Sequence, residues 1–290
     1  MSVSCWVKRA AAEHRAGRPV ALFFDYDGTL TPIVSHPSLA LLAPETRGLL
    51  ADLAATDRVS VAVVSSRALG SLKELVAVPD LWYAGSGGMH MDFGDEELID
   101  PSIAAFHEVA DAIIVATTQL FQWYPGAWFD RKPGCLAVHY RALTPLMAAC
   151  LVDEFRDALD ELQIDCPPLR VREVTRSLEI ALAGSWTKGT AVERTLARLP
   201  ADAFAVYAGD GANDAEAVAA ANARDGLSVG IGPEAPPAAG VRIDTQAEFV
   251  KDLADLAAEI APGRSAGPPA WTPACLHGAL DPDLIPTRWP

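Results

Sequence analysis

The stretch Val20 to Leu30 sets the terms for the whole chain: an apolar run of strand length stops in two carboxylates, Asp25 and Asp27, followed by Gly28 and Thr29. A near-continuous apolar run marks a strand buried on both faces, as in a parallel sheet, and such a strand delivers polar groups at its carboxyl end. Burying one aspartate there is costly without a compensating positive charge, and burying two is harder still. A divalent metal is the natural compensation. The chemistry that wants this arrangement is attack of a carboxylate on phosphorus. Asp25 can act as the nucleophile, and Asp27 can protonate the leaving oxygen and later deprotonate the attacking water. Gly28 lets the chain turn sharply, and Thr29 offers a hydroxyl and an N–H to phosphoryl oxygens. Asp-Gly is equally a turn dipeptide, so the rest of the chain has to decide between the two readings.

The pattern that follows is alternating. Pro44 to Ala55 carries Leu49, Leu50 and Leu53 at helical spacing, and Val59 to Val64 is a second β-branched apolar run, which together with the first strand makes a βαβ unit. This second strand ends in Ser65-Ser66-Arg67. Ser65 can hold a phosphoryl oxygen, and Arg67 can supply positive charge or tie down the loop; a Ser-Ser helix N-cap before Ala68 to Val76 explains the same residues. Leu81 to Ala84 reads as a third short strand closing into a glycine-rich tight turn, Gly85-Ser86-Gly87-Gly88.

From about Asp92 the order changes. A long helical stretch (Pro101 to Tyr124), paired strands (Trp128 to Lys132 and Cys135 to Tyr140), a helix (Pro145 to Leu162) and two strands (Leu169 to Val174 and Leu178 to Leu182) predict an inserted α+β cap over 92–183. Alternation along Leu136 to Arg141 puts His139 and Arg141 on one face, opposite Val138 and Tyr140. With Lys132 and Glu179 nearby in the pattern, that face can bind hydroxyls or a charged group, or simply be the solvated side of a sheet. Past the cap the alternation returns, so the expected fold is α/β: a Rossmann-like parallel-sheet core over 1–91 and 184–260 with the cap inserted. Lys188 falls in the first turn of a helix running to Leu199, where positive charge opposes the helix dipole. An anion near the lysine resolves that conflict. Phe204 to Gly209 then repeats the first strand's device, ending in Asp210-Gly211-Ala212-Asn213-Asp214, and Mg²⁺, which takes few carboxylates and keeps its waters, suits Asp210 and Asp214 facing Asp25. Leu227 to Ile231, Val241 to Asp244 and a helix over Ala247 to Ile260 close the core.

Composition narrows the partners. A net charge of −15 argues against nucleic acid and against an anionic membrane, and it leaves an anionic substrate dependent on a local positive patch or a metal. No apolar run approaches membrane-spanning length, and Met1 to Pro19 carries charges without an apolar signal core, so a cytoplasmic setting is expected. The five cysteines are scattered without a Cys-x-x-Cys pair and are expected to be reduced. Ala261 to Pro290 holds seven prolines with Trp271 and Trp289 and no periodicity; it reads as an extended tail. Oligomeric state is not legible.

The ordered set Asp25-Tyr-Asp27-Gly-Thr, Ser65, Lys188-Gly and Gly-Asp210-Gly-x-Asn213-Asp214 resembles the four motifs of the haloacid dehalogenase superfamily, with the cap between the second and third. The resemblance implies Asp25 as nucleophile, Asp27 as general acid and base, Ser65 and Lys188 as phosphoryl ligands, and Mg²⁺ held by a set drawn from Asp25, Asp27, Asp210 and Asp214. A narrower likeness covers residues 18 to 255. Phe24 to Val34, Val-Val-Ser-Ser-Arg67, Leu-Ala-Val-His139-Tyr-Arg141, Leu178-Glu179-Ile and Trp186-x-Lys188-Gly resemble trehalose-6-phosphate phosphatases. That likeness implies a sugar-phosphate substrate, trehalose 6-phosphate first, with Thr29, Arg67, Lys132, His139, Arg141 and Glu179 as contacts. The chain departs from it at Ser86-Gly87-Gly88, where the family usually reads Asn-His-Gly, at Ser66 and in the Asp210 motif. A related phosphorylated disaccharide or pseudo-disaccharide is therefore a second expectation, a phosphomutase or phosphotransferase is the other enzymatic one, and a non-catalytic sugar-phosphate sensor is the alternative of another class.

Overall fold

The structure, a computed structural model, describes residues 3–34, 37–162, 166–174 and 176–261. The expected Pro-rich tail, with Cys275, Trp271 and Trp289, lies outside the described residues apart from Ala261.

The first strand, β1 (Val20–Asp25), is buried along its whole length because both of its faces are apolar. Val20, Leu22 and Phe24 enter one core, and Ala21 and Phe23 the other. Its parallel neighbours are β2 (Val59–Val64), reached through α2 (Pro44–Ala54), and β10 (Phe204–Gly209), reached only after the cap has been built. The chain thus leaves β1 in one direction and returns on its other side, and in open α/β sheets ligand sites form at the carboxyl ends of strands where the order reverses in this way. Phe24 is in register with Ala208, so Asp25 and Asp210 emerge side by side.

Outward from β2 come α3 (Leu69–Val76), β3 (Trp82–Gly85) and an antiparallel hairpin, β4 (His90–Asp92) and β5 (Glu97–Ile99). On the other side β11 (Leu227–Ile231) and β12 (Val241–Ile243) complete a sheet of order β12-β11-β10-β1-β2-β3-β4-β5. α1 (Cys5–Arg15), α2, α3 and α8 (Gln246–Ile260) cover one face, and α6 (Lys188–Leu196) and α7 (Ala215–Asn222) the other. Two features correct the sequence reading. β4 and β5 belong to the core sheet, so a cap boundary at 92 falls too early; strands of three residues are too short to display alternation. Helix α7 was not anticipated, because its alanine-rich sequence shows little contrast between faces.

The cap sheet has the order β6-β7-β9-β8, from β6 (Trp128–Lys132), β7 (Cys135–His139), β8 (Leu169–Val174) and β9 (Ser177–Leu182), all antiparallel. Leu136, Val138, Leu178 and Ile180 project from one face and are buried against Phe106 and Ile113 of α4 (Ser102–Thr117) and Leu151 and Phe155 of α5 (Pro145–Glu161). Thr144 starts α5 by accepting the Met147 N–H at 3.4 Å, and Pro145 takes the first helical position, where a missing N–H costs nothing. The span Ser102–Gln122, with a mean hydropathy of 1.2, is long and apolar enough by length and composition to cross a membrane, which corrects the statement that no such run exists. Here its inward face is packed on the cap sheet.

Candidate active site

Asp25 ends β1 and is almost fully buried. The Lys188 ammonium, also buried, donates to Asp25 Oδ1 and to Asp214 Oδ1, each at 2.8 Å. Lys188 therefore tolerates the first turn of α6 because two carboxylates meet it, which answers the conflict its position poses. The Tyr207 hydroxyl donates to the same Asp214 oxygen at 2.6 Å, and the Gly211 N–H donates to Oδ2 at 2.9 Å. Asp210 completes the group: oxygens of Asp25, Asp210 and Asp214 all lie within 4.8 Å of one another.

One ammonium among three carboxylates leaves the cluster short of positive charge. Burial, joined by the charges of Asp214 and Asp210 and opposed by Lys188, pushes the Asp25 carboxyl well above its ordinary range. Burial and then Asp214 push Asp210 up to about 6. Three close, oxygen-only donors with a charge deficit of this sign fit a hard divalent cation such as Mg²⁺. Space is kept for them by glycine. Gly28 has φ +84°, and a Cβ there would fall 2.0 Å from Asp210 Oδ2, while one on Gly209 would fall 2.4 Å from the Asp214 carboxyl carbon.

Asp27 sits apart. Arg67 donates through two nitrogens to both of its oxygens at 2.7 Å, and the Asp27 side chain lies outside the three clustered carboxylates. Ser65 is buried beside it, its hydroxyl accepting the Arg67 N–H at 3.2 Å. Thr29 is fully buried with a hydroxyl that has no hydrogen-bond partner, a group waiting for an acceptor.

Above these residues lies a cleft of about 430 Å³ whose roof is the open face of the cap sheet. Asp25, Asp27, Ser65 and Arg67 lie on its floor side, and Lys132, His139, Arg141 and Glu179 on its cap side. Lys132 is 3.6 Å from Glu179 and 3.7 Å from Asp130. Arg141 reaches across to the carbonyl of Val34 at 3.2 Å. Sequence reasoning missed Trp128 and Asp130, which alternate with Lys132 along β6 and line the same cleft. The His139 ring stacks on Trp128 at 4.3 Å, and its Nε2 lies 3.4 Å from Asp130, whose carboxyl it holds below the usual range. Period two along β6 was the available signal. It also missed Arg170 and Arg172, which alternate along β8.

The sequence pattern of the trehalose-phosphatase family matches residues 23–254. Trehalose-phosphate phosphatase B of Arabidopsis thaliana is 28% identical over 214 residues, covering 69% of this chain and 56% of its own length. The chain thus spans little more than half of that curated relative. Among solved structures, the C-terminal domain of trehalose-6-phosphate phosphatase from C. albicans superposes with a TM-score of 0.75 at 20% identity, covering 89% of this chain and 98% of that one. A sugar phosphatase of haloacid dehalogenase subclass IIB gives 0.51 at 15% identity, covering 81% and 97%. At such identities the structural likeness speaks for the fold, an α/β core carrying a cap.

Proposed function

We propose that this chain, which belongs to the trehalose-phosphatase family, is a Mg²⁺-dependent phosphoric monoester hydrolase that releases phosphate from trehalose 6-phosphate. The observation that carries the reading is the Asp25, Asp210 and Asp214 cluster with Lys188 on the floor of a cleft whose roof is polar.

In this reading the phosphoryl group enters above Asp25, with the Thr29 and Ser65 hydroxyls and the Lys188 ammonium as its protein ligands. Asp25, Asp210 and Asp214 would hold Mg²⁺, which would supply positive charge against the phosphate oxygens. A carboxylate oxygen of Asp25 attacks phosphorus, the P–O bond to the sugar breaks, and Asp27 gives the departing oxygen its proton. Asp27, now a carboxylate, takes a proton from water, which attacks the aspartyl-phosphate and frees both Asp25 and inorganic phosphate. Lys132, His139, Arg141 and Glu179 bind the sugar hydroxyls and exclude bulk water. The cytoplasmic setting belongs to this proposal as well.

Gly87, with open space around it, stands where the resembled family usually carries a histidine, and this departure favours a second reading in which the substrate is a related phosphorylated disaccharide. Phosphate release with Mg²⁺ across sugar phosphates, trehalose 6-phosphate included, tests both beside an Asp25→Asn control. Preference for trehalose 6-phosphate, lost in the control, supports the first reading; turnover of other disaccharide phosphates alone supports the second. Silence throughout overturns the hydrolase and leaves a sugar-phosphate sensor.

A further inference from the structure

A second, smaller chamber opens beside the phosphoryl site. It shares Ser66, Lys132, Glu179, Lys188 and Asn213 with the main cleft and continues between the core turn at Ser86 and Gly87 and the cap strand that carries Arg170 and Arg172. Its volume is about 50 Å³, enough for a small polar group and too little for a sugar ring. It exists because Gly87 and Ala181 put no bulk into it.

The polar groups around it are mostly donors. The Ser86 hydroxyl is buried and has no hydrogen-bond partner, on a residue held in the left-handed region at φ +52°. An orphaned buried hydroxyl on a strained backbone is a common companion of a ligand. Three cations of the chamber are already answered: Lys188 by Asp25 and Asp214, Arg172 by Glu216, and Lys132 by Glu179 and Asp130. Arg170 is different. It donates to the carbonyl of Ser185 at 3.0 Å and forms no ion pair among the described residues. Burial, and after it the like charge of Arg172, pull its pKa below the ordinary guanidinium value and outweigh the opposing charges of Glu216, Cys135 and Glu179.

We infer that this chamber is an anion subsite, in which Arg170 and Ser86 bind a carboxylate, sulfate or phosphate group next to the phosphoryl site. The anion is either a second acidic substituent of the substrate or a free oxyanion. The first of these rests on the hydrolase reading but puts a phosphorylated sugar with two acidic groups in place of trehalose 6-phosphate, which has one; the second is compatible with trehalose 6-phosphate and does not need turnover.

Calorimetric titration of the full chain with sodium sulfate decides whether the subsite exists. Wild type should bind one more equivalent than Arg170→Gln, or bind that equivalent at least about tenfold more tightly, and Arg170→Lys should recover part of the difference. Recovery by charge separates anion binding from a packing role, and Ser86→Ala should weaken the same equivalent. Identical isotherms for wild type and Arg170→Gln overturn the inference. Rates with Mg²⁺ then separate the sources. If the substrate supplies the anion, kcat/KM for glucose 1,6-bisphosphate exceeds that for glucose 6-phosphate about tenfold or more, and the ratio collapses in Arg170→Gln. If a free oxyanion fills the chamber, that ratio stays near one, while sulfate changes glucose 6-phosphate turnover differently in wild type and in Arg170→Gln, where only its competition at the phosphoryl site remains. Absence of turnover on every sugar phosphate defeats the hydrolase reading and leaves the calorimetric result standing.

Discussion

Arg67 holds both carboxylate oxygens of Asp27 at 2.7 Å, across forty residues of chain, with its guanidinium over the Tyr26 ring at 5.2 Å. The same planar fork suits a phosphate equally well. In the proposed mechanism an arriving phosphate dianion would compete with Asp27 for Arg67 as a further phosphoryl ligand, and the released Asp27 would take up from solvent the proton that it gives to the leaving oxygen. Asp27→Asn should lower kcat on a sugar phosphate by about 10²–10⁴-fold. The loss should be smaller on p-nitrophenyl phosphate, whose phenolate departs without a proton. Equal losses of kcat/KM on the two substrates, which reports the first chemical step and not the later attack of water that Asp27 also serves, would show that Asp27 does not act as the acid.

Lys188 is the only cation bonded to Asp25 and Asp214 among the described residues, and all three side chains are buried. Removing one partner of a buried ion pair costs about 3–5 kcal/mol, because the remaining charges stay desolvated. Lys188→Met should lose stability on that scale in urea unfolding without metal, and added Mg²⁺ should recover part of it by binding only the folded state. No recovery with Mg²⁺ would argue against a cation site at these carboxylates.

Much of this arrangement was legible in the sequence, for a physical reason. A strand buried on both faces must be apolar throughout, so β1 and β10 stand out, and the acids that end them mark the carboxyl edge of the sheet. The limits are equally physical. Nothing local ties Arg67 to Asp27, since their pairing is made by the fold. The β4–β5 hairpin is too short to alternate, and α7 is too rich in alanine to show an apolar stripe. Trp128 and Asp130 were missed because a half-solvated strand carries the same alternation whether its polar face binds a ligand or water.

Trp128 is an exposed aromatic in the cleft, at 44% of its full accessibility, held flat by the His139 ring beneath it. A fixed indole in the cleft that Asp130, Lys132 and Glu179 also line would make a platform for the apolar face of a sugar ring. Trp128→Ala should raise KM for the preferred sugar phosphate by about tenfold, the order of 1.4 kcal/mol. KM for p-nitrophenyl phosphate, which has no sugar to stack, is the comparison; a matching rise there would point to cap misfolding instead.

Acid sensitivity has a separate origin at Asp92 on β4. The ammonium of Lys73 beside it holds its carboxyl below the ordinary range, against the opposing pull of burial and with help from the Gly94 N–H at 2.7 Å. Because the folded-state pKa is the depressed one, the unfolded chain binds more protons in that window and stability rises with pH. The contribution is complete above the unfolded value, about 4, and is lost as the pH falls through the lower folded value. Lys73 is nearly half exposed, so solvent and salt screen the pair. Asp92→Asn should lower the urea midpoint at neutral pH and change it little near about pH 3; an equal drop at both would assign the effect to packing.

Gly28 carries two demands that a double-mutant cycle can separate. At φ +84° any L side chain is strained by about 1–2 kcal/mol, and an added Cβ would lie 2.0 Å from Asp210 Oδ2. Gly28→Ala must therefore distort the backbone and also push the Asp210 carboxylate out of the cluster it forms with Asp25 and Asp214. In an Asp210→Ala background the second demand disappears, since the oxygens are gone, while the backbone strain remains. The cost of Gly28→Ala in urea unfolding should accordingly fall in that background to about the strain alone. Metal affinity supplies the complementary readout: Gly28→Ala should weaken Mg²⁺ binding in the parent and have little further effect once Asp210 is removed. An undiminished unfolding penalty in the double variant would mean that Gly28 is needed for its turn and not for the room it gives the carboxylate.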